Sequence, residues 1–268
     1  MGRHERVAEL AALEAAARTG LRPPALVGGG SPAAPQRSAV EVADLGCGQG
    51  RTVRALLGRA EVADVAVRVH AVDTGSDLDD DLLHDPRVRS VLADLDRPLP
   101  FEDASLDRIV CLNVAEHLAD PVALLVECGR VLRPGGRMVL AHSDWDTCLF
   151  TSDDDALTRR LVDRFVALVP QWAQRSDGFM GRKLLHLAAD SPLVLEEVQT
   201  WADCHRRFAP DTVAWKVVAG MLAAAADDAE LAPLARDWAA GLPELAQAGR
   251  FLFTVTDVAV VLRRPDEA

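Results

Sequence analysis

Two patterns of apolar and polar positions alternate along the central part of the chain: short apolar runs and segments with helical spacing. Short apolar runs predict β-strands at 40–45, 65–72, 88–93, 106–112 and 136–142. Helical spacing between these runs predicts helices at 49–59, 76–84 and 120–132, and the turn Arg133-Pro134-Gly135-Gly136 ends the last of them. Strands that alternate with helices are typical of a parallel sheet covered by helices. We therefore expect an α/β fold with a doubly wound sheet.

The two flanks of this region follow other patterns. Residues 5–18 have mostly helical spacing, and the stretch 20–38 is so rich in Pro and Gly that we expect a flexible linker. Beyond Ser143, the pattern predicts helices at 153–169, 180–189, 211–226 and 230–247, a strand-like run at 194–208 and a terminal strand at 251–264. We expect an N-terminal helix and linker over 1–38 and a single domain over 39–268. This domain is divided into a core at 39–150, helical insertions around a strand at 151–248, and a terminal strand and tail at 249–268.

The composition is that of an ordinary globular protein. Of 268 residues, 49% are hydrophobic and 26% are charged, which allows one large core. The net charge of −12 disfavours nucleic acid as a partner, because it repels a phosphate backbone. The five cysteines are scattered without a CxxC pair, so neither a disulfide framework nor a zinc site is expected. Since no apolar run approaches ~20 residues and no signal peptide is visible, we expect a cytoplasmic protein without a membrane partner.

A glycine-rich loop follows the first predicted strand. The loop from Asp44 to Gly50 has the spacing DxGxGxG, which lets a ligand approach the backbone where a strand turns into a helix. This spacing differs from the GxGxxG form of nicotinamide-dependent oxidoreductases, which are therefore disfavoured. Asp73 and Asp94 end the second and third predicted strands. Either Asp alone is compatible with an exposed strand end or a helix cap, but the ordered set of all three features indicates a ligand site.

This arrangement resembles the class I S-adenosylmethionine-dependent methyltransferases, in particular the group similar to the ubiquinone and menaquinone biosynthesis enzymes (methyltransferase type 11). Three further segments carry the resemblance: Leu99–Asp107 (LPFEDASLD), Asn113–Leu118 (NVAEHL) and Val131–Gly136 (VLRPGG). Leu106 stands where Phe is common in that family. The resemblance covers residues 40–143 well and the rest of the chain only loosely. It implies a Rossmann-like, mostly parallel seven-stranded sheet with an antiparallel terminal strand and helical lid insertions.

The resemblance also implies S-adenosylmethionine as the cofactor. In that family the glycine-rich loop, here Asp44–Gly50, holds the methionine end of the cofactor. The acidic residue after the second strand, here Asp73, binds the ribose. The pair after the third strand, here Asp94 and the backbone of Leu95, binds the adenine edge. Asn113 and Glu116 border the cofactor in the segment after the fourth strand. The residues assigned to cofactor binding are Asp44, Gly46, Cys47, Gly48, Gly50, Asp73, Thr74, Asp94, Leu95 and Asn113.

Methyl transfer from a sulfonium is an in-line displacement, so alignment of the acceptor supplies much of the catalysis. A hydroxyl or cationic amine acceptor must also lose a proton, which calls for a nearby base. His142 is the first candidate because it lies at the end of the fifth predicted strand, and His117 is the second, although packing beneath the cofactor loop explains it equally well. Asp144 is the third candidate, and Asp144 or Asp146 is equally explained as a helix cap. No metal is expected, because Asn113 stands where a metal-dependent enzyme needs an Asp.

We therefore expect an enzyme that methylates an O nucleophile, or else N or C, of a small molecule in specialised-metabolite biosynthesis. Its partner is the methyl acceptor, and the chain is a monomer or a homodimer. A second hypothesis keeps the cofactor and fold but assigns a non-methylating catalytic or regulatory role. A protein or RNA methyltransferase is disfavoured by the negative charge and by the helical insertions, which we expect to enclose the site.

Overall fold

A computed structural model describes residues 1–19, 39–75, 77–170 and 175–266. Seven strands form one sheet in the order β3-β2-β1-β4-β5-β7-β6, in which β7 runs antiparallel to both of its neighbours and the other pairings are parallel. The predicted α/β fold with a mostly parallel sheet is confirmed. The strands are β1 (Val40–Leu45), β2 (Val67–Asp73), β3 (Val88–Leu92), β4 (Leu106–Leu112), β5 (Leu132–Phe150), β6 (Val194–His205) and β7 (Phe253–Arg263).

The helices lie close to the positions that the periodicity predicts. They are α1 (Arg3–Leu10), α2 (Leu13–Thr19), α3 (Arg51–Ala63), α4 (Asp80–Leu83), α5 (Pro121–Val131), α6 (Asp155–Val166), α7 (Met180–Ala189), α8 (Val213–Ala225) and α9 (Leu231–Gln247). The prediction of one helix over 5–18 is wrong, because the chain breaks between α1 and α2, where Ala12 has a φ of +48°. The predicted linker at 20–38 lies outside the described residues.

Strand β5 is much longer than the predicted strand at 136–142. The prediction ended where the apolar pattern is interrupted by Asp144-Trp145-Asp146. In the structure the pairing with β7 shifts register between Asp144 and Leu149 and then resumes, so that Phe150 lies opposite Phe253. A β-bulge therefore carries the strand past the polar residues.

Helices cover both faces of the sheet. One face packs against α1, α2 and α3 and includes Val139 and Ala141 of β5. The opposite face packs against α5 and α7 and includes Met138 and Leu140. Because side chains alternate along a strand, Ser143 belongs to the first face and His142 to the second. Beyond the bulge, α6, α8 and α9 pack on the ends of β5 and β7 in a third apolar cluster.

In the part of the chain that the structure describes, no helix is long and apolar enough to cross a bilayer.

Candidate cofactor and catalytic site

The loop between β1 and α3 forms the base of the candidate site. Gly46, Gly48 and Gly50 all have positive φ, between +48° and +87°, a range that residues with a Cβ rarely adopt. A Cβ on Gly46 would clash with the side chain of Val114. Among the described residues other than its two chain neighbours, no atom lies within 4 Å of the position that a Cβ on Gly48 would occupy. The loop is therefore packed on one side and open to a ligand at Gly48.

The end of β2 is tied to this loop through Asp73. Its Oδ2 accepts a hydrogen bond from the backbone N of Gly48 at 2.8 Å, and its Oδ1 accepts one from the backbone N of Thr74 at 2.7 Å. Each carboxylate oxygen can accept more than one bond, so both remain available to the hydroxyls of a ligand. Thr74 is exposed beside it.

Asp44, at the end of β1, is a buried carboxylate with an unsatisfied oxygen. The residue is 1% exposed, and its Oδ2 has no hydrogen-bond partner among the described residues. Burial, together with the nearby charge of Asp73, raises the pKa of Asp44 to about 7. Burial also raises the pKa of the Cys47 thiol to about 12, so this side chain stays neutral. An unsatisfied buried carboxylate beside an open glycine fits a ligand that carries a cationic group.

The connection after β3 extends the same edge of the sheet. The backbone N of Ala93 donates to the carbonyl of Asp73 at 2.9 Å, which holds this connection beside β2. Asp94 is exposed and accepts from the backbone N of Asp96 at 3.0 Å, whereas Leu95 is buried. The structure thus places the predicted ribose and adenine residues on adjacent strand ends.

The end of β4 contributes Asn113, which has a φ of +58°. Its Oδ1 accepts from the backbone N of Ser143 at 2.7 Å, and its Nδ2 donates to the Ser143 hydroxyl at 3.2 Å. Asn tolerates the left-handed region better than most residues with a Cβ. The side chain is consequently fixed at the edge of the sheet next to the glycine loop.

A buried group of titratable side chains lies beyond β4 on the other face of the sheet. Glu116 Oε1 is 3.3 Å from His117 Nε2 and 3.7 Å from His142 Nε2. Burial raises the pKa of Glu116 to about 7, although bonds from Trp145 and Ser176 oppose this rise. The sequence predicted only that Glu116 lines the cofactor pocket. That prediction came from its position just after the fourth predicted strand.

The two histidines differ in their access to solvent. His142 is fully buried, and burial lowers its pKa to about 4. The side chain of His117 is 22% exposed, and burial lowers its pKa as well. Both imidazoles are therefore neutral near pH 7, and His117 is the one that a ligand can reach more easily.

In the ranges covered by the structure, no group of three or more His, Cys, Asp or Glu side chains is arranged to hold a metal ion.

Asp144 is held by an arginine from α7. Arg182 donates from Nε to Asp144 Oδ2 and from Nη2 to Asp144 Oδ1, both at 2.7 Å. Asp146 accepts from the same guanidinium at 3.0 Å. The explanation of either residue as a cap of the helix predicted at 153–169 is wrong, because Asp154 caps α6 by accepting from the backbone N of Leu157. Asp144 Oδ2 instead accepts from the backbone N of Arg182, in the first turn of α7, at 3.0 Å.

Comparisons with known sequences agree with this geometry. Residues 43–140 match the family Methyltransf_11, described as a methyltransferase domain. The chain is 33% identical over 163 residues to an uncharacterized 37.1 kDa protein of transposon TN4556 from Streptomyces fradiae, across 58% of this chain and 44% of that protein. It is 39% identical over 100 residues to a Mycolicibacterium smegmatis protein named "Probable S-adenosylmethionine-dependent methyltransferase", across 36% of this chain and 35% of that protein.

A third relative is the ubiquinone biosynthesis O-methyltransferase of Xylella fastidiosa, which is 32% identical over 114 residues, across 39% of this chain and 42% of that enzyme. The chain thus spans less than half the length of these curated relatives. The resemblance to S-adenosylmethionine-dependent methyltransferases over the core of the chain is confirmed.

Solved structures show the same fold at low sequence identity. The YcgJ protein of Bacillus subtilis aligns with a TM-score of 0.53 at 17% identity, over 85% of this chain and 93% of that one. The [4+2]-cyclase SpnF aligns with a TM-score of 0.50 at 18% identity, over 85% of this chain and 76% of that one. At such identities the likeness concerns the fold alone, because one fold supports many activities.

Proposed function

We propose that this chain, whose residues 43–140 match a methyltransferase domain family, binds S-adenosylmethionine and methylates an oxygen nucleophile of a small molecule. One observation carries the proposal: the glycine loop, Asp44 and Asp73 converge at the ends of adjacent strands and leave a buried carboxylate oxygen unsatisfied. Such an arrangement at the carboxyl ends of strands is where ligands bind in open α/β sheets.

The residues present fit the cofactor. When bound, S-adenosylmethionine supplies an electrophilic methyl group on a positively charged sulfur. Asp44 and the open backbone at Gly48 would hold its methionine end, where the amino group can satisfy Asp44 Oδ2. Asp73 would accept bonds from the ribose hydroxyls. Asp94 and the backbone of Leu95 would hold the adenine, with Asn113 along the pocket wall.

The acceptor must lose a proton, and the group around Glu116 can receive it. His117 is neutral near pH 7 and partly exposed, so it can accept a proton from a bound hydroxyl. Glu116, 3.3 Å away, would stabilise the imidazolium that forms. His142 packs against Glu116 from the buried side and supports this arrangement. Since Asp144 is engaged by Arg182, we place it as an anchor for α7 rather than as a base.

The acceptor class is proposed on charge and on chemistry. A net charge of −12 disfavours a nucleic acid acceptor, and we propose a small molecule, with specialised-metabolite biosynthesis as the setting. Oxygen is favoured over nitrogen or carbon because a neutral imidazole beside a carboxylate suits the removal of a hydroxyl proton.

Calorimetry with S-adenosylhomocysteine tests the cofactor site. We expect the parent to bind and Asp73→Ala to weaken binding, because the ribose hydroxyls lose their acceptor. Asp77→Ala is the matched control, since Asp77 is an exposed carboxylate on the same connection. Absence of binding by the parent, or equal affinity of Asp73→Ala and the parent, would contradict the assignment.

Transfer of a labelled methyl group to a panel of hydroxylated small molecules tests the reaction. We expect His117→Gln to lower kcat by about 10²-fold or more while cofactor affinity is retained, because general base catalysis is typically worth that much. His186→Gln, on the exposed side of α7, is the control. Cofactor binding without transfer to any acceptor would instead favour the non-methylating role.

A further inference from the structure

Ser143 is the centre of a buried hydrogen-bond network on the face of the sheet that α1 covers. Its hydroxyl donates to Asp257 Oδ1 at 2.6 Å and accepts from Arg3 Nη1 at 2.9 Å and from Asn113 Nδ2 at 3.2 Å. A hydroxyl has one proton and two lone pairs, so these three bonds use its full capacity. The orientation of the Ser143 hydroxyl is therefore set by Arg3 and Asp257.

Asn113 depends on Ser143 for its conformation. Strand β4 ends at Leu112, and the backbone then turns away from β5 at Asn113 with a φ of +58°. The backbone N of Ser143 would lose a partner at this point, but it donates to Asn113 Oδ1 at 2.7 Å. The side chain of Asn113 thus continues the pairing that the β4 backbone has left, and the strained φ persists because both ends of the amide are bound.

Arg3 brings a positive charge into the network from the first turn of α1. Its Nε donates to Asp203 Oδ2 at 2.9 Å and lies 3.4 Å from Asp257 Oδ2. The side chains of Arg3 and Asp257 are 6% and 0% exposed. A guanidinium buried between two carboxylates is held in one position, because its departure would leave the fully buried Asp257 without its cationic partner. Asp203 would keep only its 3.0 Å contact with His205 Nε2.

From these contacts we infer that Arg3 and Asp257 are positioning residues that act through Ser143 to hold Asn113 in its left-handed conformation at the cofactor site. The inference rests on the proposed function, which places Asn113 along the cofactor pocket. Neither Arg3 nor Asp257 has to touch the cofactor. Helix α1, which lies outside the family match at 43–140, becomes part of the site by fixing a side chain of the core.

The affinity for S-adenosylhomocysteine measures this effect. We expect Arg3→Gln and Ser143→Ala each to raise Kd about tenfold, because a buried hydrogen bond in the network is lost. Ser143→Ala leaves the ion pairs of Arg3 in place, so it tests the network even where Arg3→Gln does not fold. The matched control is Arg6→Gln, because Arg6 lies on the same helix and packs over Trp201 at 5.8 Å. Its Kd should stay within about twofold of the parent.

A double-mutant cycle separates positioning from general weakening. If Arg3 acts through Asn113, Arg3→Gln combined with Asn113→Ala should bind no more weakly than Asn113→Ala alone, since the target of the network is already gone. A merely structural role of Arg3 predicts that the two losses add. Additive losses, or an unchanged Kd in Arg3→Gln, would overturn the inference.

Hydrogen exchange of the Asn113 side-chain amide, followed by nuclear magnetic resonance without any ligand, tests the network itself. Faster exchange in Arg3→Gln and Ser143→Ala than in the parent and Arg6→Gln supports the inference, and equal exchange in all four overturns it. If the parent binds no S-adenosylhomocysteine, the proposed function fails and the cofactor part of the inference fails with it. Binding by the parent with an unchanged Kd in both variants overturns the inference alone.

Discussion

At the scale of single residues, Glu116 shows how burial converts an ordinary carboxylate into a group that titrates near neutrality. Burial raises its pKa from 4.5 to about 7. Its protonated form is therefore favoured in the folded chain, so its contribution to stability is complete below pH 4.5 and is lost as the pH rises through 7. The groups that face it are His117, His142 and Asp177.

This titration gives a prediction for Glu116→Gln, whose neutral amide imitates the protonated acid. Its free energy of unfolding at pH 8 should exceed that of the parent by up to about 3 kcal/mol, since one pKa unit corresponds to about 1.4 kcal/mol. The difference should vanish below pH 4.5, as the parent becomes protonated in both states. Urea unfolding across this range of pH measures it.

Glu127→Gln is the control, because its side-chain bond to Arg130 lowers the pKa of Glu127. Its contribution is present above the unfolded pKa and is lost as the pH falls, so this variant should destabilise the fold at pH 8 and lose its effect in acid. Parallel pH profiles for the two variants would contradict the account of Glu116.

At the scale of elements, α5 links the turn at Ala115–His117 to β5, and its start is defined by a side chain. Asp120 accepts from the backbone N of Val122 and of Ala123, both at 3.0 Å, and Pro121 occupies the first helical position. Asp120→Ala should lower the free energy of unfolding by about 1 kcal/mol, because two backbone donors lose their acceptor. Asp120→Asn should recover most of it. Equal urea midpoints for Asp120→Ala and the parent would argue against the cap.

At the scale of the whole molecule, β6 and β7 complete the same sheet as β1, β2 and β4, which carry proposed cofactor residues at their ends. We predict that residues 39–268 unfold as one unit. All tryptophans lie beyond residue 144, whereas the proposed cofactor residues lie at 44–113, so tryptophan fluorescence reports the part that should not touch the cofactor. S-adenosylhomocysteine at 100 times its Kd should raise the free energy of unfolding by about 2.7 kcal/mol by fluorescence and by circular dichroism alike.

The control for this measurement is Asp73→Ala, in which the shift should shrink in both signals at the same ligand concentration. A shift seen by circular dichroism but absent from fluorescence would show that the C-terminal half unfolds separately and would contradict the single domain.

The sequence by itself determined the strands, the glycine loop and the acidic strand ends. Strands β1 and β4 lie at the positions that the apolar runs predict, because hydrophobic periodicity and turn residues are local properties of the chain. The loop at 44–50 is likewise recognisable from the sequence, because its DxGxGxG spacing lies within seven consecutive residues. Parallel strands end at one edge of a sheet. The order of these elements was therefore enough to predict that Asp44 and Asp73 lie close together.

Only the tertiary structure decided the features that depend on distant partners. The pairing with β7 carries β5 past its polar interruption to Phe150. Burial gives Glu116 its raised pKa, and Arg182 engages Asp144 from another helix. Arg3 meets Asp203 and Ser143 across most of the chain. No local pattern encodes such contacts, because burial and charge pairing arise only when the helices close on the sheet.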